Sequence, residues 1–145
     1  TYMQIEFEFE RGGRMIADLI PEASKTIACV TGAMPIQATV LQARWSGKES
    51  FVPINLPKKP PRERQSIRAS LGDLIYFCEW PESYEYTGFE AIGFFYGPEI
   101  VREWRGDCPV NVFGKIQTQY HSLLSEVGER VWRKGGEGIL IKVLA

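Results

Sequence analysis

Val110-Asn111-Val112-Phe113-Gly114-Lys115-Ile116 reads as a strand, and the residues after it set the architecture. Tyr120, Leu123, Leu124, Val127 and Val131 recur at the helical period, so residues 117–133 form a helix with one apolar stripe. Gly135-Gly136 stops it. Ile139, Leu140, Ile141, Val143 and Leu144 then mark a closing strand over 138–144. Strand, helix, strand is thus the order at the C-terminal end.

The other end begins with strict alternation. Met3, Ile5, Phe7 and Phe9 are apolar, while Gln4, Glu6, Glu8 and Glu10 are polar, which is a strand over 3–10 with one wet face. Gly12-Gly13 supplies the positive φ angles of a tight turn, and a second strand runs over 14–20. Pro21 closes that strand. Ala23, Ile27, Val30 and Met34 are spaced for a short helix over 23–33, with Glu22 at its positive end and Gly32 and Pro35 ending it. Four more strands are expected at 38–45, 49–54, 73–80 and 89–97. Gly72-Asp73 turns into the third and Gly97-Pro98 ends the fourth. Residues 55–71, rich in proline and arginine, read as a long surface loop. Eight strands and two helices in one small domain, 1–145, point to a mainly β fold. That is a closed barrel or a sandwich, and in a closed eight-stranded barrel the early and late helices would cap the open ends.

The composition agrees with an ordinary soluble domain. The chain has 145 residues, 44% of them hydrophobic and 24% charged; a chain of this size buries roughly 70% of its unfolded surface. No apolar run approaches the ~18 residues of a membrane span. The N-terminus lacks the form of a signal peptide, so a cytoplasmic location and no membrane partner are expected. The net charge of -1 gives no global attraction to nucleic acid. Lys58, Lys59, Arg62, Arg64 and Arg68 do crowd one loop against Glu63 alone, but no aromatic residues interleave them, and a solvated loop is the expectation. Cys29, Cys78 and Cys108 are too few and too scattered for disulfides or a zinc site. Cys78 reads as core filler and Cys108 as an exposed thiol. His121 is the single histidine, so a two-histidine metal site within the chain is impossible. Lying at a helix start with no nucleophile implied beside it, it reads as a surface residue. No metal or cofactor is expected.

The order of elements resembles cyclophilin. Pro21 to Thr31, leaving through Cys29-Val30-Thr31-Gly32, is similar to the first cyclophilin helix, and Gly93-Phe94-Phe95-Tyr96 to its Gln-Phe-Phe-Ile strand. Val112-Phe113-Gly114-Lys115-Ile116 is similar to its Val-Phe-Gly-Lys-Val segment. A closer resemblance is to the cyclophilin-like bacterial proteins of unknown function. It rests on Arg44-Trp45-Ser46-Gly47, on Leu71-Gly72-Asp73-Leu74-Ile75-Tyr76, on Tyr96-Gly97 and on Pro109 to Lys115. The resemblance spans about 3–144 and implies the cyclophilin-like barrel.

It does not carry the isomerase site. A cyclophilin holds the prolyl amide with an arginine, beside a glutamine, a histidine and aromatic groups. Arg44 falls near the arginine, but Gln42-Ala43 stand where a Phe-His pair precedes it. Gly93 stands at the glutamine and Val110 at the histidine. Prolyl isomerase activity is therefore not expected, since fold alone carries no function.

The candidate site is an outer groove of the barrel. Arg44 offers a bidentate fork to a carboxylate or carbonyl, and Ser46 lies beside it. By the resemblance Phe95 faces outward and Phe94 inward. Phe77 shares the groove if the register holds, with Tyr76 as the fallback. Arg44 and Trp45 lie in the strand expected over 38–45, so alternation sends them to opposite faces and both cannot point into one pocket without a bulge. The bland alternative puts Trp45 in the core and pairs Arg44 with a glutamate. The aromatic residues Tyr76, Phe77, Trp80, Phe94, Phe95 and Tyr96 divide between core and groove by the same rule.

Three functions stay open. The first is binding of a small anionic or carbonyl-containing metabolite by Arg44, Ser46, Tyr76, Phe77 and Phe95. The second is a weak prolyl isomerase, or an isomerase or hydrolase of a small molecule, with Arg44 as its catalytic electrophile. The third is an interaction module. Homo-oligomers are conceivable through the first strand, taken as an edge, and the loop 55–71.

Overall fold

The alternating start of the chain forms β1 (Gln4–Phe9), which turns through Gly12-Gly13 into β2 (Arg14–Leu19). Both glycines have φ near +110° (110° and 109°), a region costly for any side chain. Ile5 faces Ala17 and Phe7 faces Met15 across the pair, and all four side chains are wholly buried. A turn at Pro21–Ala23 leads into α1 (Ser24–Thr31). The chain continues through β3 (Ile36–Gln42), β4 (Glu49–Pro53), β5 (Asp73–Cys78), β6 (Glu90–Phe95) and β7 (Val110–Ile116). It ends with α2 (His121–Lys134) and β8 (Glu137–Val143). These elements belong to a computed structural model that describes residues 2–79 and 88–144.

The strands pair in the order β2-β1-β8-β3-β4-β6-β5-β7, and β7 returns to β2. Every pairing is antiparallel. The result is a closed eight-stranded barrel with two helices. Its interior holds Phe7, Phe9, Phe94 and Phe113 among aliphatic side chains. Phe7 and Phe94 meet with ring centroids 5.6 Å apart. Cutting either ring back to alanine would cost about 3–5 kcal/mol. A bulge in β7 puts Phe113 between the Val112–Ile75 and Gly114–Leu74 pairs, and its ring is wholly buried in the interior.

The helices close the barrel as their stripes require. Thr26, Ile27 and Val30 are the buried side of α1; Leu124, Val127, Gly128 and Val131 are that of α2. A Cβ at Gly128 would overlap the Tyr96 ring, so glycine is what lets α2 lie this close. The Tyr96 hydroxyl donates to Gln42 Oε1 at 2.6 Å, just where β3 ends.

Several expectations need correction. β1 is paired on both sides, by β2 and β8, and offers no edge for self-association. β3 starts at Ile36 and ends at Gln42, so Arg44, Trp45 and Ser46 lie beyond it. Trp80, and with it the end of the strand expected over 73–80, falls outside the described residues.

The loop 55–71 is held by its charges. Glu63 accepts from the backbone N–H and hydroxyl of Thr26, both at 2.8 Å. Burial alone would raise its carboxyl pKa, but these bonds and one from Lys25 outweigh it and hold the group below its ordinary value. Lys59 pairs with Glu90, whose side chain is wholly buried. Gln65–Ser66 pairs with β7, and Arg68–Ala69 pairs with Glu99–Ile100.

A second apolar layer decides where a ligand has room. Ala69, Ile75, Phe95, Val101, Cys108 and Val110 cluster on the outer face of β5, β6 and β7. The chain from 99 to 109 lies over part of that face and leaves a cavity beside it.

Candidate functional site

The cavity has a volume of about 740 Å³, a size suited to a small ligand. Its floor comes from alternate, outward-pointing positions of three neighbouring strands. Phe51 lies on β4, Ala91 on β6, and Ile75 and Phe77 on β5. Phe51 and Phe77 each approach Phe89, with centroids 6.1 Å apart in both pairs. Three tryptophans form the rim: Trp45 after β3, Trp104 on the 99–109 segment and Trp132 on α2. All three are more than half exposed.

Glu49 is the polar group set into this apolar wall. It is the first residue of β4, on the same face as Phe51, and only 8% of it is exposed. Its space comes from Gly93, where a Cβ would overlap Glu49 Oε2. Burial pushes the Glu49 carboxyl up from 4.5 to about 8, and the nearby Ser46 hydroxyl offsets only part of that rise.

The other buried glutamates show what is unusual. Glu6 pairs with Arg14 and Lys142, Glu79 with Arg105, Glu90 with Lys59, and Glu137 with Arg11 and Arg130. Among the described residues, Glu49 is the one buried glutamate with no cationic partner from the chain. A buried carboxylate without such a partner carries a large desolvation cost, which the neutral form avoids.

The expected site residues separate. Arg44 lies at the exposed rim, and Phe77 lines the cavity wall. Trp45 lines the rim beside Arg44, because past the strand end alternation no longer constrains the pair. Ser46, Tyr76 and Phe95 do not line the cavity. Ser46 is a tether: its hydroxyl donates to the Arg102 carbonyl and accepts from the Arg102 N–H, each at 2.8 Å. Tyr76 points into the barrel and donates to Glu90 Oε1 at 2.9 Å, and burial drives its hydroxyl pKa far up. Phe95 faces outward, as the resemblance implied, but is wholly covered by the second apolar layer.

Cys108 is buried against the cavity rather than exposed, and burial pushes its thiol up to about 12, far from a reactive thiolate. Cys78 is core filler, its thiol raised to about 11 by burial. His121 is half-buried at the start of α2, with Nε2 3.2 Å from the Ile116 carbonyl. Among the described residues, no group of three or more His, Cys, Asp and Glu side chains is placed to hold a metal ion. No helix there is long and apolar enough to cross a membrane.

Glu49 was not among the expected site residues. On a strand with one outward face, a glutamate alternating with Phe51 reads as a solvated position. The available signal was the pair of Glu49 with the missing side chain at Gly93.

Residues 9–143 match DUF3830, a family described as a protein of unknown function. The chain belongs to the DUF3830 family. No curated protein matches its sequence. Three solved structures share the fold of this DUF3830 chain at low identity. McbB, described in complex with tryptophan, is 18% identical with a TM-score of 0.66, over 95% of this chain and 44% of that one. The DUF3830 chain thus spans less than half of McbB. A hypothetical protein of Archaeoglobus fulgidus is 20% identical with a TM-score of 0.62, over 99% and 95% of the two chains. A cyclophilin-type peptidyl-prolyl cis-trans isomerase of Cryptosporidium parvum is 10% identical with a TM-score of 0.58, over 100% and 99%. The architecture is the cyclophilin-like barrel.

Proposed function

We propose that this chain binds a small, apolar-bodied molecule with a carbonyl or carboxylate group in the outer cavity. The observation that carries the reading is Glu49: a buried carboxyl, facing an aromatic cavity, that the chain itself leaves without a cation. Such a group costs stability unless a ligand uses it. Arg44 stands at the rim, where its guanidinium can hold a ligand carboxylate or carbonyl. Phe51, Phe77 and Phe89 supply a wall for a flat body.

A thermal-shift screen of small acids, amides and proline peptides tests this, with Arg44→Ala alongside. A ligand at a hundred times its dissociation constant stabilises by about 2.7 kcal/mol, which moves the melting temperature visibly. A small acid or amide whose shift is lost in Arg44→Ala supports the reading. Shifts only from proline peptides, or shifts indifferent to Arg44, overturn it.

A further inference from the structure

We propose that the ligand also carries a protonated nitrogen, which becomes the missing cationic partner of Glu49. The inference deepens the small-ligand reading and rests on it: Arg44 holds one end of the molecule and Glu49 the other.

Each of the four other buried glutamates is compensated by lysine or arginine from this same chain. Where Glu49 would need such a side chain, the structure has a cavity of about 740 Å³. The walls suit a cation. Faces of tryptophan and phenylalanine attract positive charge and repel negative charge. Two of the rim rings already seat one from the chain, with Arg105 5.1 Å from the Trp104 centroid and Arg133 5.0 Å from that of Trp132. A neutral acceptor such as an amide would be served as well by glutamine, which avoids the cost of burying a carboxylate. A glutamate gains over glutamine only when its charge is used.

Among the described residues, the other titratable groups on the cavity are Arg44, Glu79, Arg102, Glu103 and Cys108. Arg105 pairs with both Glu79 and Glu103. Among the described residues, Glu49 is therefore the acid left for an incoming cation. An ammonium ion arriving there displaces the carboxyl proton, which leaves to solvent, and the two charges pair.

The test uses the full chain and three probes of one shape: 2-phenylethylamine, 3-phenylpropionamide and 3-phenylpropionate. Titration calorimetry at pH 7 in two buffers of different ionisation enthalpy counts protons. The amine should bind with release of about one proton per site. In Glu49→Gln its affinity should fall about tenfold or more, with proton release abolished. Near-ultraviolet circular dichroism and a cooperative urea-unfolding transition verify that this variant keeps its fold. An amine that does not bind, while the amide or the acid binds in an Arg44-dependent way, overturns this inference and leaves the small-ligand reading standing. Amine binding that is as tight in Glu49→Gln as in wild type also overturns it. If none of the three binds, both readings fall.

Discussion

Replacing Glu49 by glutamine should stabilise the protein at neutral pH, by an amount that grows with pH. In the unfolded chain the carboxyl ionises near 4.5; in the folded chain burial holds it at about 8. A raised carboxyl pKa means that the folded state keeps a proton the unfolded state gives up. Stability is therefore intact below pH 4.5 and lost progressively as pH rises to 8, at about 1.4 kcal/mol per unit. At pH 7.5 the cost reaches about 4 kcal/mol, and the higher effective dielectric beside an open cavity brings it to about 2–4 kcal/mol. Glutamine fits the same space over Gly93 and does not titrate. Urea unfolding at pH 5 and pH 7.5, followed by tryptophan fluorescence, measures both proteins. The advantage of Glu49→Gln should be small at pH 5 and larger by about 2–3 kcal/mol at pH 7.5, since part of the cost is already present at pH 5. All other titrating groups are common to the two proteins and cancel. An advantage that is the same at both pH values would refute the placement of Glu49 as a buried, uncompensated acid.

Other perturbations test the framework around it. Gly93→Ala should cost about 1–3 kcal/mol, because the added Cβ overlaps Glu49 Oε2 and lies 3.0 Å from Ile75 Cδ1; a melting temperature equal to wild type would refute the close approach. Lys59→Met should cost about 3 kcal/mol by leaving Glu90 buried without its cation, and limited proteolysis should then cut within 55–71, where wild type resists. Ser46→Ala should remove both bonds to Arg102 and cost about 1–2 kcal/mol. Amide hydrogen exchange over 99–107 should quicken, and unchanged exchange would show that the tether is elsewhere.

The fold was legible because its signals are local and periodic. Alternation in β1, the Gly12-Gly13 turn and the stripe of α2 each specify their element without knowledge of the rest. The site was less legible because it depends on register and on where strands stop. Arg44 and Trp45 share the cavity only because β3 ends two residues before Arg44. Tyr76 and Phe77 point opposite ways, and only the pairing of Ile75 with Gly93 and Val112 fixes which of them meets the cavity. Phe95 was placed on the right face, but its covering by Val101 and Cys108 comes from a segment more than five residues beyond it that has no periodic pattern. The basic loop was misleading for a related reason. Its charges read as solvated, yet Glu63 and Lys59 reach partners 37 and 31 residues away.

What the outer face of this barrel presents is again decided by register. Val110 offers only hydrocarbon and belongs to the covered apolar layer. Gly93 offers no side chain, and the space so released is filled from the neighbouring strand by the Glu49 carboxyl. An amide group donates and accepts without a change of charge, whereas an acid held near a pKa of 8 takes up or releases its proton around neutral pH. On the reading proposed above, a ligand that brings a counter-charge makes use of that carboxyl, whereas a neutral ligand leaves its charge unused.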